Sequence, residues 1–359
     1  MPFDPFTAPL VPLPAQPDGV PWPTDEWPRG EVPAGVDLDA LLDELFDEDG
    51  PIRTTFASAV IHRGRLVAER YAGGIDHFDR APEPITATTP LLSWSMAKSM
   101  LHAVVGMLVA EGRLDLDAPP GVPGWDAPGD PRGEITLEHL LAMRDGLDFL
   151  EDYVDGDRSD VINMLFGDGA EDVAAFAADR GLAAPPDTRF NYSSGTTNII
   201  SATVARAIGP GAAYEAFVNE RLFAPIGMRT ATAKFDAAGT WIASSYVYCT
   251  AQDFARFGYL YLRDGMWDGV RVLPAGWADH ARRIRSYSEE DDNYYGAQWW
   301  AGGDTHGSFR CVGYEGQRIV VVPALDLIVV RLGKTPAEHY PDLRNWTERV
   351  IAAFAAANG

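Results

Sequence analysis

The stretch 92-LSWSMAKSML-101 sets Ser95 three residues ahead of Lys98, at the head of an apolar run that continues to Gly112. The run reads as a helix, because Ala, Met, Val and Leu dominate it and no proline interrupts it. It is apolar on most sides, which marks a buried helix. In a helix Ser95 and Lys98 share a face. A serine hydroxyl is a weak nucleophile near neutral pH and needs a base within hydrogen-bond reach. Lysine serves as that base once burial lowers its pKa. Unpaired N–H groups in a first helical turn also favour a developing anion. The same four residues equally describe a serine in a first helical turn followed by a surface lysine, so the pattern alone leaves both readings open.

On either side of this helix the pattern changes. Residues 1–36 are proline-rich and aperiodic, and are expected to run as an extended surface arm. A helix is expected over 37–48. Two β-rich runs, 55–64 and 65–74, meet at His62-Arg63-Gly64-Arg65 in a hairpin signal. A Pro/Gly-rich loop, 118–133, precedes a helix expected over 136–147, and further helices are expected over 171–181, 197–208 and 212–223. The last third returns to strands at 296–302, 307–313, 317–324 and 326–333, with a closing helix over 341–357. Strands at both ends and helices between them imply an α/β chain of the α+β type. The expected architecture is an antiparallel sheet flanked by helices from both chain ends, plus an inserted, mostly helical subdomain. The expected division is an arm at 1–36, an α/β subdomain at 37–92 and 240–359, and a helical subdomain at 93–239, with the site at their interface.

The 359 residues suit one large domain or two closely packed ones, and 46% hydrophobic content is ordinary for a globular chain. A net charge of -23 disfavours nucleic acid and anionic membranes as partners. The expected partner is a small-molecule substrate, for a monomer or a homodimer. Two cysteines, Cys249 and Cys311, make neither a disulfide framework nor a zinc pattern. No cofactor or metal is expected. The N-terminus lacks a basic segment followed by a continuous apolar one, so the expected address is cytoplasmic. There is no G-x-S-x-G elbow, H-E-x-x-H or Walker loop. Seven scattered histidines, among them His77 and His102, form no ligand spacing.

Ser95-Met96-Ala97-Lys98 resembles the first motif of the serine β-lactamase and penicillin-binding-protein superfamily. The stretch 93–119 looks like the nucleophile helix of its class C-like branch, which includes family VIII carboxylesterases and 6-aminohexanoate-dimer hydrolases. The resemblance runs over roughly residues 50–335. It implies a β-lactamase-like fold and a serine hydrolase that works through an acyl-enzyme. The branch's second motif, Tyr-x-Asn, is similar to Tyr192-Ser193-Ser194 in 190-FNYSSG-195, with serine in place of asparagine. It implies that Tyr192 relays a proton, favoured as phenolate by the neighbouring lysine; a buried tyrosine with a satisfied hydroxyl is the plainer alternative. The third motif, Lys-Thr-Gly, corresponds to Cys311-Val312-Gly313 in 310-RCVGYEGQ-317, keeping only the glycine. The backbone N–H groups of Ser95 and Tyr314 are then the expected oxyanion hole.

Three further residues are expected to bind substrate: Tyr153, Gly313 and Trp94. Tyr153 resembles the tyrosine that contacts substrate in 6-aminohexanoate-dimer hydrolases, although a surface-loop tyrosine fits equally. Asp152, Asp155, Asp157 and Asp160 surround it, and an acidic loop attracts an ammonium-bearing substrate. Trp241, Trp299 and Trp300 are pocket or core residues. The string 334-KTP-336 reads as a loop after the last strand. The resemblance ranks small amides of the aminohexanoate type and short-chain esters ahead of β-lactams or D-alanyl peptides, with a non-catalytic, ligand-binding member as the alternative outside enzymes.

Overall fold

The computed structural model describes residues 4–76, 81–154 and 158–358. Eight strands form one antiparallel sheet whose two ends come from opposite ends of the chain. The hairpin Thr54–His62 and Arg65–Tyr71 occupies one edge, turning through Arg63 and Gly64, both with positive φ. Thr54–His62 then pairs with the last strand, Leu327–Lys334, from Thr54 opposite Lys334 to His62 opposite Leu327. The sheet continues through Gln317–Val322 and Phe309–Gly313 to three short strands, Trp300–Ala301, Asn293–Tyr295 and Ser286–Ser288. Both faces are covered, so the central strands read as unbroken Val/Ile/Leu runs rather than alternating ones.

One face receives the helices Leu38–Leu45 and Tyr340–Ala357, which pack Leu42, Trp346 and Phe354 against Val320 and Val329. The other face carries the larger core and Ala251–Leu262, where an added Cβ on Gly258 would strike Ile319. Beyond this layer lie Ala97–Ala110, Asp160–Phe166, Val173–Ala178, Ser194–Ile208 and Ala212–Val218. No helix among the described residues is long and apolar enough to cross a membrane.

Several elements differ from expectation. The helix expected over 136–147 spans only Leu137–Leu141, because Met143 takes a positive φ and the chain turns away. Ala251–Leu262 was not expected at all. Phe257, Tyr259 and Tyr261 alternate as in a strand, whereas Phe254, Phe257 and Tyr261 also fit a helix and the Thr250 cap, accepting from the Asp253 N–H, is a helix start. The strand expected over 296–302 shrinks to Trp300–Ala301. Lys334 ends the last strand rather than entering a loop, and buried Thr335 donates to the Ile52 carbonyl at 2.6 Å.

Residues 4–36 contain no helix and only an isolated bridge from Arg29 to Leu66. This segment supplies carbonyl acceptors to buried arginines: Arg256 donates to Pro23, Arg263 to Pro14 and Arg282 to Val11.

Candidate active site

The turn that holds Ser95 is built before the helix that follows it. Trp94–Met96 forms a 3-10 turn, and the α-helix Ala97–Ala110 continues from it. Trp94 adopts a left-handed φ of 46°, unusual for a bulky residue and a mark of local strain. Ser93 holds the turn in place: its N–H donates to the Val247 carbonyl at 2.8 Å, and its Oγ accepts from the Val247 N–H at 3.0 Å. Ser95 sits in the middle of this turn with 8% exposure, and Lys98 is 2% exposed.

Lys98 Nζ lies 2.9 Å from each of three oxygens: Ser95 Oγ, Ser194 Oγ and the Ser244 carbonyl. It also stands 4.9 Å from the centroid of the Tyr192 ring. Among the described residues no carboxylate pairs with it directly. Burial pushes its pKa from 10.5 down to about 8, against a pull upward from the Glu151 charge. Lys98 is thus a buried amine whose ammonium form is disfavoured.

Tyr192 is packed between Tyr295 and Trp300, with Val312 in the same cluster. Burial, and then the charge of Glu151, raise its hydroxyl pKa far above the usual range, while its hydrogen bond with Ser95 works the other way. The Lys98 amine stands over the ring, and burial outweighs the help a cation there gives to the expected phenolate. Tyr192 stands beside Ser95 as a protonated phenol.

The second motif's serine is part of this cluster. Ser193 caps Ser194–Ile208 by accepting from the Thr196 N–H at 2.9 Å, which aims Ser194 at Lys98. Behind Ser194 stands Glu151, which the sequence reading missed. Its carboxylate accepts from the Ser194 N–H at 2.8 Å, the Ser194 hydroxyl at 2.6 Å and the Tyr153 hydroxyl at 2.7 Å. A glutamate two residues before Tyr153 was the only local signal, in a chain with 52 acidic residues.

Gly313 and Tyr314 close the other side. An added Cβ on Gly313 would run into the Ser93 carbonyl oxygen and crowd Trp94, so only glycine lets the Phe309–Gly313 strand approach the nucleophile turn. Among the described residues, neither the Ser95 nor the Tyr314 N–H donates to a turn, loop or cap acceptor. Tyr314 is 36% exposed, stacks on Tyr153 with centroids 4.7 Å apart, and meets Trp94 edge-on at 5.5 Å. Cys311 is buried, and Val312 packs against the same aromatic cluster as Tyr192, so the two positions of the third motif's lysine and threonine hold a thiol and an apolar side chain.

Other residues weighed in the sequence lie elsewhere. Trp241 and Trp299 are core. His102 hydrogen-bonds Tyr261 and His280 and stacks on Trp277, away from Ser95. In the acidic loop Asp152 accepts from the Val154 N–H and Asp160 from the Leu150 N–H. Asp155, Asp157 and His77 lie outside the described residues.

The family model described as Beta-lactamase matches residues 42–354. The chain belongs to this family. Among curated proteins, this beta-lactamase-family chain is similar to a 6-aminohexanoate-dimer hydrolase from Paenarthrobacter ureafaciens, 29% identical over 335 residues, covering 87% of this chain and 80% of the relative. It also resembles Esterase EstB from Burkholderia gladioli, 31% identical over 209 residues, about half of each chain. A solved structure of a 6-aminohexanoate-dimer hydrolase candidate from Bacillus anthracis superposes with a TM-score of 0.74 at 22% identity, over 98% of this chain and 92% of that one. At that identity the superposition speaks for the fold. Together these findings make the chain a hydrolase of the β-lactamase and esterase group.

Proposed function

We propose that the chain is a serine hydrolase acting through an acyl-enzyme on small amides or esters. The observation that carries this reading is a buried Lys98 amine 2.9 Å from Ser95 Oγ, with its pKa brought down to about 8. Ser95 Oγ attacks the carbonyl carbon and its proton passes to Lys98. The N–H groups of Ser95 and Tyr314 receive the oxyanion. The Tyr192 hydroxyl gives its proton to the leaving nitrogen or oxygen and regains one from the Lys98 ammonium. Water then attacks the acyl-Ser95 ester, its proton moves to Lys98, and the acid departs as Ser95 recovers its own.

The wall of Trp94, Tyr153 and Tyr314 favours substrates with apolar bodies. Cys311 and Val312 provide no receptor for a substrate carboxylate, which places β-lactams and D-alanyl peptides behind linear amides and esters. Similarity to the dimer hydrolase favours aminohexanoate-type amides, and similarity to the esterase favours short-chain esters. A panel of p-nitrophenyl esters, aminohexanoate oligomers and nitrocefin tests the reading. Ser95→Ala is expected to lose roughly three or more powers of ten in kcat/KM. Full activity in that variant, or turnover of nitrocefin above the esters, would refute it. Failure of a fluorophosphonate probe to label Ser95 in folded protein would point to a ligand-binding chain instead.

A further inference from the structure

The three oxygens around Lys98 differ in what they can accept and donate. An ammonium satisfies all three as donor. The neutral amine has two hydrogens and one lone pair, so one contact must reverse before Lys98 can take a proton. The Ser244 carbonyl can only accept. The Ser194 hydroxyl could turn either way, except that its hydrogen is held by the Glu151 carboxylate at 2.6 Å. A carboxylate accepts and does not donate, and this one is anchored by the Ser194 N–H and the Tyr153 hydroxyl. With its proton committed to Glu151, Ser194 must accept from Lys98. Only the Ser95 contact remains for the lone pair.

We propose that Glu151, acting through the Ser194 hydroxyl, is a positioning residue that aims the Lys98 lone pair at the Ser95 hydroxyl. This rests on Lys98 being the base for Ser95. It explains why a serine works in place of the second motif's asparagine. An amide has separate accepting and donating ends, whereas a hydroxyl is ambivalent until an anion behind it fixes its proton. It is the logic by which a buried carboxylate selects the tautomer of a catalytic histidine. Glu151 has a second, opposing effect, since its charge favours the ammonium form. The titratable groups facing Lys98 are Glu151 and Tyr192, with Tyr153 behind Glu151 and Asp291 acting on Tyr192.

Those opposing effects make Glu151→Gln decisive. The Ser194 N–H keeps the amide oxygen as its acceptor, which turns the amide NH2 toward Ser194 Oγ. Ser194 then accepts from the amide, swings its proton toward Lys98 and occupies the lone pair. The acid limb of the kcat/KM profile is expected to move to lower pH, because a negative charge is gone. Its plateau is expected to fall roughly a hundredfold, the worth of a correctly poised base. An unchanged plateau with higher activity at low pH would mean Glu151 acts by charge alone, and would overturn the proposal. A plateau that falls with thermal stability while the limb stays in place would mean a structural role, and would overturn it too. Ser194→Asn, which restores separate accepting and donating ends, is expected to keep a plateau well above that of Ser194→Ala. Equal plateaus in those two variants would refute the role of Ser194. Retained activity in Ser95→Ala would overturn the site reading together with this one, whereas an inactive Ser95→Ala beside a normal Glu151→Gln plateau would overturn this one alone.

Discussion

Lowering the pH from 8 to 6 should silence this enzyme through one side chain. With the Lys98 pKa at about 8, roughly a tenth of the molecules carry the amine at pH 7 and roughly a hundredth at pH 6. At the ordinary 10.5 the amine would be roughly three molecules in ten thousand at pH 7. Burial therefore enriches the reactive form about 300-fold there, equivalent to about 3 kcal/mol. The kcat/KM of p-nitrophenyl butyrate hydrolysis, measured from pH 5.5 to 10 with Ser95→Ala as the blank, should rise tenfold per pH unit and level off near 8. The Tyr192 hydroxyl is held protonated beyond that range, so no descending limb should follow below pH 10. The profile is then a single ramp and plateau instead of a bell. An inflection near 10, or a flat profile between pH 6 and 9, would show that the buried amine is not the group that limits the reaction.

Other outcomes follow from the same structure. Lys98→Met removes a buried group whose folded pKa lies below its unfolded value. Below about pH 8 both states of the parent hold the proton and the parent bears the full cost of the buried charge; between about 8 and 10.5 that cost disappears. The stability of Lys98→Met relative to the parent should thus be highest below pH 8 and fall by about 3 kcal/mol by pH 10.5, as read by denaturant titration. Gly313→Ala should displace the Tyr314 N–H from the nucleophile turn and lower kcat/KM roughly a hundredfold with the far-UV spectrum intact; unchanged kinetics would remove Tyr314 from the oxyanion hole. Thr250→Ala deletes the cap of Ala251–Leu262 and should cost about 1 kcal/mol in chemical denaturation, with the activity plateau unaltered.

Local chemistry was legible in the sequence, and chemistry assembled from distant residues was not. Ser95 and Lys98 share one turn of backbone, so their spacing carried their relation. Tyr192 was found through its motif, and the glycine of the third motif through the strand around it. Glu151 had no such handle: it is one acid among many and joins the site only when its loop folds against the start of Ser194–Ile208. The same separation explains the fold. Long strands beside the hairpin were readable, while Ser286–Ser288 and Asn293–Tyr295 are three residues each and have no pattern long enough to see. The aromatic-rich helix Ala251–Leu262 was hidden because Phe257, Tyr259 and Tyr261 alternate like a strand, although Gln252, Asp253 and Arg256 stand at helical spacing.

The contacts of residues 4–36 set a timetable for synthesis. The acceptors at Pro23, Pro14 and Val11 leave the ribosome first, yet the arginines they serve lie 233, 249 and 271 residues later. Thr54–His62 likewise waits for Leu327–Lys334 before it has a partner on its inner side. Loop closure over such lengths slows folding and leaves early segments exposed in the meantime. The polar contacts of Val11, Pro14 and Pro23 and the inner edge of Thr54–His62 must therefore wait for partners made more than two hundred residues later. A proline-rich segment suits that wait, because nine prolines within residues 4–36 repeatedly break the row of backbone donors through which nascent strands aggregate.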